Sequence, residues 1–472
     1  MTYDRHTVLI ANRGEIAMRV MRACTRLGLD FVCVYTQEDR MSGHVRLARE
    51  LAGDRAVYKI TSYLDANELF SVADQSGATA VHPGYGFFAE DFRFARRVVR
   101  RDRPMEFIGP SWWVIRDLGD KINTKRIARS LKVPTVPGSD RPVYSEMEAE
   151  EIASSLFEFQ ATQGISDGVI MVKASAGGGG MGIEEVGSFD EFRSVFRRIR
   201  NYAKRNFGDE GVLIEQRIFD FNHLEVQVVS ERGGKNHVHF GTRNCSIQST
   251  GKQKRVEIAP GFAPGVIPYT FDASKVLSEI TEHSLAMAHN AHYDNVGTWE
   301  WIVTPKGEPF LMEVNTRIQV ENGVSAVISR VNGEHVDIIT EQIRLALGDK
   351  LGYGQDDISF DGVGIEYRVV AENTGNRFTP CAGRITDFGW QEHDWLQVFT
   401  QVPVDREYEI PMEFDPNLAL AIVWGRDLDE AKERGSRFLD ELVLQGEVGG
   451  KPDDFYTNVR YLKEKTGRIL EF

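Results

Sequence analysis

Residues 7–29, TVLIANRGEIAMRVMRACTRLGL, open the fold: an apolar strand, a turn at Asn12–Gly14, then apolar residues recurring at helical spacing. FVCVYT (31–36) reads as a second strand, and ATAVHPGYGFFAE (78–90) as another, closed by a Pro-Gly turn. FIGPSWWVIRDLGDK (107–121) ends the region. Alternating strands and helices imply a parallel, doubly wound sheet whose ligands sit at the carboxyl ends of its strands. Arg13, Gly14, His82, Gly84 and Gly86 fall at such ends, where turn chemistry explains the glycines equally well.

The chain has 472 residues, enough for about three domains of roughly 150 residues each. Its 42% hydrophobic and 27% charged residues are those of an ordinary soluble globular protein. With 56 basic against 70 acidic residues the net charge is −14, which argues against a broad footprint for nucleic acid or anionic membrane. An anionic ligand must then be held by a local basic site. Cys24, Cys33, Cys245 and Cys381 lie far apart without CxxC spacing, as expected of reduced cysteines in a cytoplasmic protein. The N-terminus lacks a signal-peptide pattern, and no apolar run approaches the ~18 residues of a spanning helix.

After the Pro/Gly-rich boundary KVPTVPGSD (132–140) comes a smaller unit that carries GVIMVKASAGGGGMGIEEV (168–186) and closes with VLIEQRI (212–218). Four glycines, Gly177–Gly180, directly follow a strand ending in Lys173. Two readings stand open: a flexible surface hairpin, or a mobile flap whose N–H groups close over phosphates while the lysine neutralises them. From His223 the pattern becomes β-rich, and a last region from about 355 mixes strands with a helix.

The most informative stretch is GTWEWIVTPKGEPFLMEVNTRIQVE (297–321). Glu300 is expected to end one strand, and after a turn at Lys306–Gly307 a second carries Glu313 and Asn315 on one face. Two carboxylates and an amide oxygen are hard ligands of the kind Mg²⁺ takes when it also holds nucleotide phosphates. Arg317, Gln319 and Glu321 are expected to continue the same alternating face, which is poor design for a core strand and good design for a site.

IANRGEIAMRVMRAC (10–24), AVHPGYGFFAE (80–90), FIGPS, LGDK, VKASAGGGGMG (172–182), HLEVQV, CSIQ, GTWEW, EVNTRIQVE (313–321) and YRVVAEN (367–373) follow one another in an order that resembles biotin carboxylase, of the ATP-grasp superfamily. The resemblance implies an α/β fold with three domains: a doubly wound domain (1–120), an ATP-grasp domain (121–350) with a mobile glycine-loop lid at about 145–218, and a mixed α+β C-terminal domain (351–472). It further implies ATP binding by Lys121, Lys173, Gly178, Gly179, Gly180, Glu215, Ile218, His223 and Gln248. Magnesium or manganese would be held by Glu300, Glu313 and Asn315. Lys254, Arg317, Gln319, Val320 and Glu321 would form the bicarbonate pocket, with Glu321 as general base, and Arg368 would stabilise the biotin enolate. The implied partners are a biotin carboxyl carrier protein and a carboxyltransferase, with a homodimer expected from the family.

Three segments depart from the pattern. Asn322–Ala326 (NGVSA) replaces His-Pro-Val-Thr-Glu after the catalytic glutamate, and Gln248–Lys254 is one residue longer than the usual Gln-Arg-Arg-His-Gln-Lys. Phe414–Leu420 replaces Tyr-Asp-Ser-Met-Ile-Gly-Lys, a change expected to bear on contacts with other subunits or the carrier. The departures leave two further readings: an ATP-grasp ligase with a different acceptor, and a non-catalytic protein of assembly. Arg368 in YRVVAEN argues against the first.

Overall fold

The computed structural model describes residues 6–165, 167–175, 182–250, 253–262 and 269–470; none of its helices is long and apolar enough to cross a membrane. The chain divides into two compact units. Met1–Gly119, Asn222–Glu300 and Val314–Phe472 make the first, and Asp120–Phe221 with Trp301–Glu313 the second.

In the first unit, β1 (Thr7–Ile10), β2 (Asp30–Tyr35), β3 (Val57–Lys59), β4 (Ala80–His82) and β5 (Glu106–Phe107) form a wholly parallel sheet in the order β3-β2-β1-β4-β5. This is the doubly wound arrangement expected. The helix Gly14–Leu27 buries Ile16, Ala17, Val20, Met21, Ala23 and Cys24 as one stripe, and stops at Gly28, whose φ of 69° suits glycine. Strand order reverses between β1 and β4, so the loops that follow them meet. Asn12 Nδ2 donates to the carbonyls of Pro83 (2.6 Å) and Tyr85 (2.8 Å). Arg13 is paired with buried Asp39 at 2.7 Å, and the buried His82 imidazole is pushed down to about 3 by burial, so it stays neutral.

The second unit holds β6 (Ile170–Ala174), β7 (Ile183–Val186) and β8 (Val212–Gln216), an antiparallel sheet in the order β7-β6-β8. The helices Glu146–Thr162 and Phe189–Phe207 share one apolar cluster with it, Ala153, Leu156, Phe192 and Phe196 packing with Val172 and Ile214. Gly178, Gly179 and Gly180 lie outside the described residues.

The largest sheet has eight strands. It contains β9 (Asn222–Ser230), β10 (His237–Gln248), β11 (Lys254–Ala259), β12 (Asn295–Val303) and β13 (Pro309–Asn315), in the order β13-β12-β9-β10-β11, and continues through Val363–Val370, Asn417–Gly425 and Leu396–Thr400. Two local expectations are corrected. β12 runs on to Val303, so Glu300 lies within its strand rather than at the end. β13 stops at Asn315, so the alternation does not extend to Glu321; residues 316–320 are irregular, and Glu321 directly precedes the helix Asn322–Ile328.

Candidate active site

β9 is buried along its whole length, yet it alternates polar and apolar residues. Leu224, Val226 and Val228 take one face; His223, Glu225 and Gln227 take the other. A buried polar face must find partners, and here it builds a charge cluster. Arg243, directly opposite Glu225 in the antiparallel register, donates to Glu225 Oε2 from Nε (3.0 Å) and Nη2 (2.8 Å). Lys254 Nζ is shared by three carboxylates: it donates to Glu225 Oε1, to Glu321 Oε1 at 2.7 Å and to Glu300 Oε1 at 3.4 Å. Arg368 Nη2 holds the other oxygen of Glu321 at 3.3 Å and Glu257 Oε1 at 3.1 Å. Glu321 is thus clamped by Lys254 and Arg368, one cation on each oxygen.

Burial alone would raise the Glu321 carboxyl, but Lys254, Arg368 and Arg243 outweigh it and hold the group below the ordinary glutamate range. Glu300 is driven well below that range, against its burial, by Lys254 and His223. The Lys254 ammonium is held well above its usual value; burial opposes this, and Glu225, Glu300 and Glu321 prevail. Glu257 behaves oppositely. Burial raises it to about 7 despite Arg368, and Glu366, its cross-strand neighbour, is also raised well above the ordinary glutamate range, by burial first and then by Glu257.

Glu300 is the hub of the remaining contacts. Its Oε1 accepts from Asn315 Nδ2 (2.7 Å) and Gln319 Nε2 (3.2 Å), and its Oε2 lies 3.0 Å from His223 Nε2. Gln248 Nε2 donates to His223 Nδ1 at 3.0 Å, so the neutral ring carries its proton on Nε2, toward Glu300. Arg317 is held by Glu90 (2.9 Å), Gln319 (2.8 Å) and Asn315 (3.2 Å). Val320 is half-buried in the turn before Glu321. His223, Glu225 and Glu300 place one ligand atom each within 4.8 Å of one another. Glu300 and Asn315 offer the hard oxygens a magnesium ion takes, and the Lys254 ammonium on Glu300 marks that carboxylate as a site for positive charge.

In the second unit, Glu215 on β8 is gripped by two lysines: Lys173 Nζ at 2.5 Å on one oxygen and Lys125 on the other. Lys121 pairs with Glu313 at 2.5 Å. Ile218 packs with Val136 and Ile302 in a small apolar cluster. Sequence reading missed Lys125, Glu225, Arg243, Glu257 and Glu90. Two had a signal: Lys125 lies one helical turn beyond Lys121, and Glu225 shares the strand face of His223. Arg243 and Glu257 are set by strand pairing, and Glu90 lies in the loop after β4, where it meets Arg317.

The departures are absorbed locally. Arg19 Nη2 donates to Asn322 Oδ1 (2.6 Å), Asn322 Nδ2 donates to the carbonyl of Gln319 (2.7 Å), and Arg243 Nη1 donates to Ser325 Oγ (3.1 Å). The strand β11 begins at Lys254, whose ammonium donates to Glu321. In Phe414–Leu420, Leu420 is the register partner of Arg368.

Residues 4–115 match the biotin carboxylase N-terminal domain, 120–353 the carbamoyl-phosphate synthase L chain ATP-binding domain, and 366–464 the biotin carboxylase C-terminal domain. The chain is 37% identical over 446 residues to biotin carboxylase 2, chloroplastic, of Populus trichocarpa, covering 94% of this chain and 79% of the relative. The chain belongs to the biotin carboxylase family. Another family relative, the 2-oxoglutarate carboxylase small subunit of Hydrogenobacter thermophilus, is 36% identical over 439 residues, 93% of this chain and 87% of that one. Among solved structures of the family, the biotin carboxylase domain dimer of the 2-oxoglutarate carboxylase from the same organism, in complex with MgADP, ADP and bicarbonate, superposes with a TM-score of 0.83 at 34% identity, covering 98% of this chain and 93% of that one.

Proposed function

We propose that this chain is an ATP- and magnesium-dependent ligase that carboxylates biotin borne on a separate carrier polypeptide, using bicarbonate. The observation that carries the reading is the Glu321 carboxylate, buried, held ionised, and clamped between Lys254 and Arg368. A general base that must act on an anion needs such cations, which offset the repulsion between base, bicarbonate and phosphate.

Glu321 takes the bicarbonate proton while Lys254, Arg317, Gln319 and Val320 hold the anion. The freed oxygen attacks the γ-phosphorus, ADP leaves, and carboxyphosphate forms. Its breakdown gives CO₂ and phosphate, and the phosphate accepts the N1′ proton of biotin. Arg368 stabilises the enolate that then attacks CO₂; a guanidinium fork suits that oxyanion better than an ammonium. Lys121, Lys173, Gly178–Gly180, Glu215, Ile218, His223 and Gln248 serve the nucleotide. Glu300, Asn315 and Glu313 are the oxygen ligands for magnesium or manganese, which neutralises phosphate oxygens when bound. We read the chain as three functional domains, 1–120, 121–350 and 351–472, acting in the cytoplasm as a homodimer with a carrier protein and a carboxyltransferase.

The test is ATP hydrolysis with magnesium, with and without bicarbonate and free biotin, in the wild type and in Glu321→Gln. Turnover that requires bicarbonate, rises with biotin and drops at least ~100-fold in the variant is the expected result. Turnover indifferent to bicarbonate would transfer the assignment to a ligase with another acceptor.

A further inference from the structure

The helix Phe92–Arg100 lies outside the site just described. It buries Phe94, Ala95 and Val98 and presents arginines on its other faces. Residues 93–103 hold six arginines and one aspartate, in a chain whose net charge is −14. They line a groove of about 880 Å³ with Phe70, Asp74 and Phe92. Arg101 is paired with Asp74 at 2.5 Å, and Arg97 donates to Asn67 Oδ1 at 2.7 Å. Among the described residues, Arg93, Arg96, Arg100 and Arg103 form no ion pair. The helix Phe189–Phe207 supplies the contrast: its Arg193, Arg197 and Arg198 pair with Glu150, Glu146 and Glu184.

The arginine stripe is also braced. Arg96 and Arg100 lie over the Trp112 ring, at 5.2 and 5.6 Å from its centroid, and Arg97 lies 4.8 Å over Phe70. Held this way, the guanidiniums lose less freedom on meeting an anion. Beside them Trp113 is 47% exposed, and arginine with tryptophan is the composition of interface anchors. We propose that this groove docks an acidic segment of a partner polypeptide. The guanidiniums at 93, 96/97 and 100 recur every three to four residues, about 5 Å along the helix axis, which is the spacing of carboxylates at i, i+3 and i+4 on a facing helix. A nucleic acid, with a charge about every 1.7 Å, would extend beyond the stripe into the field of an acidic protein. The relative from Hydrogenobacter thermophilus is by its name a small subunit, a chain that works beside a partner. The inference stands apart from the catalytic reading.

Fluorescence anisotropy with a labelled oligoglutamate peptide, at low and at physiological salt, tests it. Expected is salt-sensitive binding that weakens about tenfold or more in Arg96→Glu/Arg100→Glu, with an intermediate loss in Arg96→Lys/Arg100→Lys, which keeps the charge without the fork. Unchanged circular dichroism and melting temperature confirm that the variants fold. Absence of peptide binding, or binding that survives charge reversal, would overturn the surface. Equal or tighter binding of a labelled oligothymidylate would overturn the polypeptide partner in favour of nucleic acid. Self-association lost on charge reversal, seen by sedimentation velocity, would replace the partner with a second copy of the chain.

Discussion

Lys254 touches Glu225, Glu300 and Glu321, so single changes in this cluster separate catalysis from stability. Glu225→Gln removes the charge that both Lys254 and Arg243 face, and is expected to cost about 3–5 kcal/mol in chemical denaturation, as breaking a buried pair does. Asn322→Ala leaves the buried Arg19 Nη2 without its acceptor, and should cost about 1–3 kcal/mol by the same measurement. Asn322→His, which restores the family's usual residue, should leave bicarbonate-dependent turnover within a fewfold of wild type if the departure is only a local repacking. His223, Gln248, Glu300, Asn315, Gln319, Lys254, Arg368 and Glu321 were all named from motifs, and the structure brings them into one connected set. Arg243 and Glu257 were not, because a lone arginine or glutamate within a strand carries no motif. Only the register opposite Glu225 and Glu366 gives either a role.

At the scale of the element, backbone approach matters more than side-chain charge. Gly138 forms an isolated antiparallel bridge to Glu215, and a Cβ there would meet the Ile214 carbonyl at 2.2 Å. Gly138→Ala must displace β8 and with it the carboxylate that Lys173 and Lys125 grip. The expected outcome is a destabilisation of about 1–3 kcal/mol and a several-fold rise in the KM for ATP, with kcat less affected. The doubly wound sheet was legible because its strands are short apolar runs bounded by turns. The end of β13 was not, because residues 316–320 keep a polar–apolar alternation while hydrogen bonding to Glu300 and Glu90, rather than a neighbouring strand, sets their path.

Across the whole molecule, the cluster sets the response to pH. Glu225, Glu300 and Glu321 have depressed folded-state pKa values, so their contribution is complete above the ordinary glutamate range of about 4.3 and is lost as the pH falls below it. Glu257 works the other way. Raised to about 7, it stays protonated in the fold while the unfolded chain ionises, so stability falls as the pH rises from the glutamate range toward about 7. Urea denaturation of the wild type and Glu257→Gln from pH 5 to pH 8 should show the variant gaining relative stability as the pH rises, and parallel profiles would refute this account. The sequence alone determined the parallel N-terminal sheet, the family and most of the charged residues of the site, since apolar periodicity and ordered motifs are local properties of the chain. Only the tertiary structure decided which charges meet. Glu225 on β9, Lys254 on β11, Glu321 after β13 and Arg368 on the strand Val363–Val370 are far apart in sequence, and strand pairing together with the irregular segment 316–320 brings them within hydrogen-bonding reach and out of water, where unlike charges hold one another ionised.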